Sequence, residues 1–309
     1  MMNNDQEDYQ PVILCHAACT GGSLIYRLLV SSFQFTGISE ISHAWYPNPK
    51  SYWPLDPEVQ LYTQGVISDT LFTEIFYKRI RHCEKLVRET GKKMLIREHT
   101  HRYFFNPHHD KSTLESISWV NDAFSKGRDE SLNCLLSVRD PIDSWLGLRH
   151  NFPEEQPTVF DEYCEKYLFF LDKVERTKRV HLFKYEDMIS SPQEVLLKIG
   201  KFLGRLPVDL DFEKNSQVIS SGNSGRQSSA IYARPRRPFT SRLVRAAKAS
   251  KNYVELCERL NYPCLFDNLS SLDNRMMFKT YLNNILHVCT KNALKPFNQI
   301  ARKFPMIRD

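Results

Sequence analysis

Short runs of Leu, Ile and Val recur along this chain, each followed by a longer amphipathic stretch. That alternation limits the fold more than any other feature. The runs cover residues 12–15, 94–97, 132–138 and 180–183, with a weaker one at 38–42. Each is too short for a helix and rich in Leu, Ile and Val, as expected of parallel strands buried on both faces. Helical patterns cover 23–33, 69–90, 159–176 and 192–203, with Gly91 and Gly204 placed as stop signals. Strand–helix alternation predicts an α/β fold: a doubly wound parallel sheet of about five strands with flanking helices.

Composition narrows the class of protein. Hydrophobic residues make up 41% and charged residues 25%, which is ordinary for a globular chain and excludes a disordered or collagen-like one. Mean hydropathy is −0.45, and no apolar run of about 18 residues predicts a membrane-spanning helix. Net charge is +6. It is concentrated: residues 214–254 hold nine basic side chains and no acid, leaving 33 basic against 36 acidic residues elsewhere. A single basic segment in an otherwise near-neutral chain points to an anionic ligand.

Four stretches carry chemistry. In VILCHAACTGGSLIYRLL, residues 12–29, a strand runs through Thr20, Gly21, Gly22 and Ser23 into a helix. Small residues let such a turn curl, and inward N–H groups with the positive helix end make a cradle for phosphate or sulfate. A plain strand–turn–helix has the same pattern, and the stretch does not match G-x-x-x-x-G-K-[ST]. In LLSVRDPIDSWLGL, residues 135–148, a strand delivers Arg139 at its carboxyl end, and Asp140 with Pro141 suits a helix start. The third stretch is FKYEDMISSPQEVLLKIGKFLG, residues 183–204, and the fourth SGNSGRQSS, residues 221–229.

In this order and spacing the four stretches resemble the sulfotransferases that use 3′-phosphoadenosine-5′-phosphosulfate (PAPS), over about residues 11–262. The resemblance implies a five-stranded sheet related to the P-loop nucleotide kinases and no metal. It implies that the loop Cys19, Thr20, Gly21, Gly22 and Ser23 holds the 5′-phosphosulfate and Arg139 the 3′-phosphate. Tyr185 would lie near the adenine, and Gly225 with Arg226 would close over the 3′-phosphate. Two positions depart from the family pattern. Cys19 stands where a loop Lys or Arg is usual, with Arg27 or an Arg of 226–245 as a substitute. Gly147 stands where a Ser is usual, with Ser144 as the alternative on the same helix.

A general base is expected in MLIREHTHRYF, residues 94–104, where Arg97-Glu98-His99 matches the family's basic-x-His pattern. His99 is the first candidate, since an imidazole titrates near neutral pH. His101 is the second, because residues two apart on an extended chain share a face. Glu98, His99, His101, His108, His109 and Asp110 also raise a metal site, but their spacing matches no standard zinc pattern.

The expected reaction is sulfuryl transfer from PAPS to a hydroxyl or amine. A P-loop-related kinase and a catalytically degenerate nucleotide-binding protein are the rivals. Trp45, Tyr46, Tyr52 and Trp53 offer flat faces for a carbohydrate acceptor or for packing a loop onto the core. The basic segment has few interleaved aromatics, so no nucleic acid is expected. The basic helical pattern after 266 suits core or dimer packing, with peripheral membrane contact as the alternative. The eight cysteines form no C-x-x-C pair, and MMNNDQEDYQ has no signal-peptide pattern. Reduced cysteines and a cytoplasmic chain follow as expectations. The expected organisation is a tail over 1–10, a catalytic domain over 11–265 and a helical extension over 266–309.

Overall fold

The computed structural model describes residues 10–17, 19–41, 58, 61–62, 64–98, 119–125, 132–151, 159–175, 179–210, 231, 236–237 and 239–265. It divides into two compact units, Met1–Arg234 and Pro235–Asp309.

The first unit is built on five strands: β1 (Val12–His16), β2 (Thr36–Ile41), β3 (Met94–Glu98), β4 (Asn133–Val138) and β5 (Val180–Lys184). They form one parallel sheet in the order β2-β3-β1-β4-β5. The central β1 and β4 are buried at every residue, which is why their sequences are mostly apolar, with only His16, Asn133 and Ser137 polar. Strand β2 begins two residues before its apolar run. Thr36 and Gly37 pair with Met94 and Leu95, so the ladder extends past the apolar residues.

Helices α1 (Gly22–Phe33), α2 (Asp69–Glu89), α3 (Trp119–Ser125), α4 (Pro141–Asn151) and α5 (Phe160–Glu175) connect the strands. Helices α6 (Tyr185–Ser190) and α7 (Pro192–Leu203) follow β5. The chain leaves β1 toward β2 and leaves β4 toward β5, in opposite directions across the sheet. Right-handed crossovers then require helices on both faces. One layer carries Leu24, Leu28 and Phe33 of α1 with Leu196 and Ile199 of α7, packed on Val12, Leu14 and Phe183. On α4 and α5, Trp145, Phe160, Tyr163 and Tyr167 form a chain of ring contacts 5.3 to 5.9 Å apart. Helix α2 is the most exposed: Ile80 is its only residue classed as buried.

Local signals act where the residue types imply. Pro192 opens α7, and Gly204 at φ 65 closes it. Ser68 caps α2, and Gly91 at φ 71 follows its end. The short α3 and α6 have no clear periodic signature of their own.

The second unit contains α8 (Ser241–Ala249) and α9 (Lys251–Leu260), each capped by a hydroxyl side chain, Thr240 and Ser250. The helical pattern after residue 266 lies outside the described residues. No described helix is long and apolar enough to cross a membrane. Among the described residues no disulfide forms: Cys15, Cys134, Cys164, Cys257 and Cys264 are buried, and Cys19 and Cys83 are half-buried.

Candidate active site

In an open parallel sheet, ligands bind beyond the carboxyl ends of strands whose connections leave in opposite directions. Here those neighbours are β1 and β4. The loop from β1 into α1 lies at that point, and Arg139 directly follows β4.

The loop is shaped by its own main chain. The Ala17 carbonyl accepts from Thr20 Oγ1 at 2.7 Å and from His16 Nδ1 at 2.8 Å, so the His16 ring proton sits on Nδ1. Cys19 has φ 61 and Gly21 has φ 90, both left-handed. Gly21 is the N-cap of α1 and provides no side-chain cap. Its carbonyl accepts the Leu24 and Ile25 N–H groups, at 3.0 and 3.2 Å. The N–H groups of Gly22 and Ser23 precede these, at the helix end that attracts anions. Rings close in behind the loop. A Cβ on Gly21 would lie 2.2 Å from Tyr185 Cε2, and one on Gly22 would lie 2.2 Å from His16 Nε2.

Three arginines hydrogen-bond to this loop. Arg139 Nη1 donates to the Cys19 carbonyl at 3.2 Å. Its Cζ lies 4.7 Å from the centre of the Tyr185 ring, and its Nε is 4.0 Å from Glu186 Oε1. That Nε is buried, with no hydrogen-bond partner among the described residues. Arg97, at the end of β3, donates from Nη1 to Ser23 Oγ at 2.6 Å. Its guanidinium also faces Tyr26 at 5.6 Å, and burial pushes the Tyr26 phenol up to about 12 against the pull of Arg97. Arg27, one turn into α1, returns its Nε to the Ser23 carbonyl at 3.3 Å. Arg97 and Arg27 are 1% and 8% exposed, so two buried cations meet at the positive end of a helix. An anion bound there would offset that concentration of charge.

Asp140 is the predicted helix cap. Its Oδ1 accepts the Asp143 N–H at 3.0 Å, while its own N–H donates to Glu186 Oε1 at 3.2 Å. Glu186 therefore ties the start of α6 to the start of α4.

The remaining predicted residues are placed as follows. Thr20 is fully buried, and its hydroxyl serves the Ala17 carbonyl. Ser144 is fully buried and accepts from Tyr163 OH at 2.7 Å. Burial raises the Tyr163 phenol well above its ordinary value, so it stays a donor. Tyr185 is 7% exposed, with its ring wedged between Gly21 and Arg139. The Cys19 thiol accepts from Asn151 Nδ2 at 3.3 Å. His99, His101, Gly225, Arg226 and the aromatic segment at 43–57 lie outside the described residues. Sequence reasoning missed the Arg97–Ser23 contact and the Glu186 tie. The signal for the first is the pairing of Leu14 with Arg97, which brings Arg97 beside β1.

No family model matches the sequence, and no curated protein matches it either. Solved structures do match. The sulfotransferase domain of the Synechococcus PCC 7002 olefin synthase is 15% identical with a TM-score of 0.52, over 82% of this chain and 95% of that one. This is the sulfotransferase fold. A sulfotransferase from Alicyclobacillus acidocaldarius is 16% identical with a TM-score of 0.40, over 82% of this chain and 96% of that one. Mouse sulfotransferase SULT7A1, complexed with PAP, is 13% identical with a TM-score of 0.40, over 86% of this chain and 89% of that one.

Proposed function

We propose that this protein is a sulfotransferase that moves a sulfuryl group from PAPS to a hydroxyl or amine, with a carbohydrate as the favoured acceptor. One observation carries the reading: in a sulfotransferase fold, Arg27, Arg97 and Arg139 all hydrogen-bond to the loop between β1 and α1. The residues fit the donor. The α1 N-terminus has no side-chain cap, its two glycines let the main chain pass against the Tyr185 and His16 rings, and Arg139 keeps a buried Nε without a hydrogen bond among the described residues.

In this reading the loop N–H groups and Ser23 hold the 5′-phosphosulfate, and Arg139 holds the 3′-phosphate, joined by Gly225 and Arg226. Tyr185 backs the loop on the side toward the adenine. PAPS supplies an activated sulfuryl group. The acceptor oxygen or nitrogen forms a bond to sulfur while the sulfur–oxygen bond to the phosphate breaks, and 3′-phosphoadenosine 5′-phosphate (PAP) leaves. His99 takes the acceptor proton, with His101 as the alternative base. Positive charge around the loop offsets charge that builds on the departing phosphate. No metal enters the scheme, and a cytoplasmic, carbohydrate-directed enzyme is its simplest setting.

Cys19 favours a second reading, a nucleotide-binding protein without transfer activity. Calorimetry and a transfer assay separate the two. The enzyme reading expects PAP to bind, ATP–Mg²⁺ to bind far more weakly, and label to pass from PAPS to an acceptor in a glycan and small-alcohol screen. PAP binding without transfer selects the second reading. ATP–Mg²⁺ binding without PAP binding refutes both and favours a kinase. His99→Ala and His101→Ala are expected to retain PAP binding, and one of them to lose transfer at least about 100-fold.

A further inference from the structure

We propose that Arg97 is the positioning residue that replaces the loop's missing basic side chain, and that it acts through the hydroxyl of Ser23. The inference rests on the sulfotransferase reading and extends it to a residue of β3.

The loop's own side chains include no cation: Cys19, Thr20, Gly21, Gly22 and Ser23 are all uncharged. Charge reaches it from outside, and the three arginines arrive differently. Arg139 and Arg27 donate to main-chain carbonyls, of Cys19 and Ser23. Arg97 alone donates to a loop side chain, at 2.6 Å on Ser23 Oγ. A guanidinium can only donate, so Ser23 is the acceptor in that bond. Its hydrogen must then point away from Arg97. Among the described residues nothing accepts that hydrogen, because the Ser23 hydroxyl has Arg97 as its sole hydrogen-bond partner.

Two consequences follow. Arg97 fixes the rotor of the Ser23 hydroxyl, leaving its hydrogen free to be donated to an anion at the α1 N-terminus. The charged donor also polarises that O–H bond and strengthens the outward hydrogen bond. The guanidinium is 1% exposed and flanked by the Tyr26 ring, so little freedom is lost when a ligand arrives. Arg27 holds the Ser23 carbonyl from within the same helix and so steadies the residue that Arg97 orients.

A binding cycle tests this with PAP as the probe, titrated by calorimetry at fixed salt. Arg97→Met is expected to weaken PAP binding about 10- to 100-fold, and Ser23→Ala about 10-fold. On the Ser23→Ala background, Arg97→Met should cost less than about 3-fold, because the hydroxyl it orients is gone. Arg97→Lys should recover most of the loss. A merely structural Arg97 would lower the melting temperature and leave the two effects multiplicative. Should Arg97→Met fail to fold, Arg97→Gln takes its place in the same cycle with Ser23→Ala. Wild-type-like PAP binding by Arg97→Met, or fully multiplicative losses, overturns the inference and leaves the sulfotransferase reading standing. Failure of the unmodified protein to bind PAP removes both.

Discussion

Adding one methyl group at each loop glycine should give two unlike outcomes. At Gly21 a Cβ meets the Tyr185 ring at 2.2 Å, and the residue is held at φ 90. At Gly22 a Cβ meets His16 Nε2 at the same distance, but φ is ordinary for a helix start. Overpacking costs about 1–3 kcal/mol, and a left-handed conformation adds about 1–2 kcal/mol for an L-residue. Gly21→Ala should therefore lose about 2–5 kcal/mol, and Gly22→Ala about 1–3 kcal/mol. For a body the size of Met1–Arg234, each kcal/mol is worth about 2–4 °C in melting temperature. The decisive comparison removes the rings. On a His16→Ala background, Gly22→Ala should cost less than about 0.5 kcal/mol, since the overlap was its whole penalty. On a Tyr185→Ala background, Gly21→Ala should still cost about 1–2 kcal/mol, because the backbone strain remains. Urea unfolding of the seven proteins, wild type included, each with a PAP titration, measures both arms. Equal rescue at the two positions would refute the division into overlap and strain, and with it the account of how the loop is shaped.

Three further outcomes follow from the same framework. Asp140→Ala removes the Asp143 cap and should cost about 0.5–2 kcal/mol, whereas Asp140→Asn should be nearly neutral, as read by urea midpoint. Tyr163→Phe removes the donor to Ser144 and should cost about 1 kcal/mol with PAP affinity unchanged within about 2-fold; a large affinity loss would place Ser144 functionally at the nucleotide. His181, stacked on Phe202 at 5.2 Å, has its pKa lowered by burial and then by Lys198. Its folded pKa lies below the unfolded value, so the unfolded chain binds the proton first as pH falls. Its part of the stability is intact above about pH 6.5 and declines below it, down to the folded pKa. His181→Gln should flatten the pH dependence of the urea midpoint in that window.

Much of this architecture is legible in the amino-acid sequence. Strands β1 and β4 announced themselves because full burial leaves no polar alternation to blur the run. The start of α4 was legible because capping is local chemistry: Asp140 and Pro141 act within one turn. The glycine turn before α1 was legible for the same reason. What the sequence concealed depends on long-range neighbours. Nothing in MLIREH says that β3 lies beside β1, and only that pairing turns Arg97 from a strand residue into a partner of Ser23. Tyr185 carried a role by resemblance; its ring sits behind Gly21 because α6 starts directly after β5. Helix α6 itself has only six residues, too few to show a period.

The hold on Cys19 has a consequence for which side chains the turn tolerates. Arg139 grips this residue by its carbonyl, and its bend is a backbone angle of φ 61. Neither depends on the side chain. The side chain at this position can therefore be a thiol without a change in the turn, provided cations reach the loop from neighbouring elements. Here they come from α1, β3 and the residue after β4. A signature keyed to a basic residue in the loop would pass over this chain.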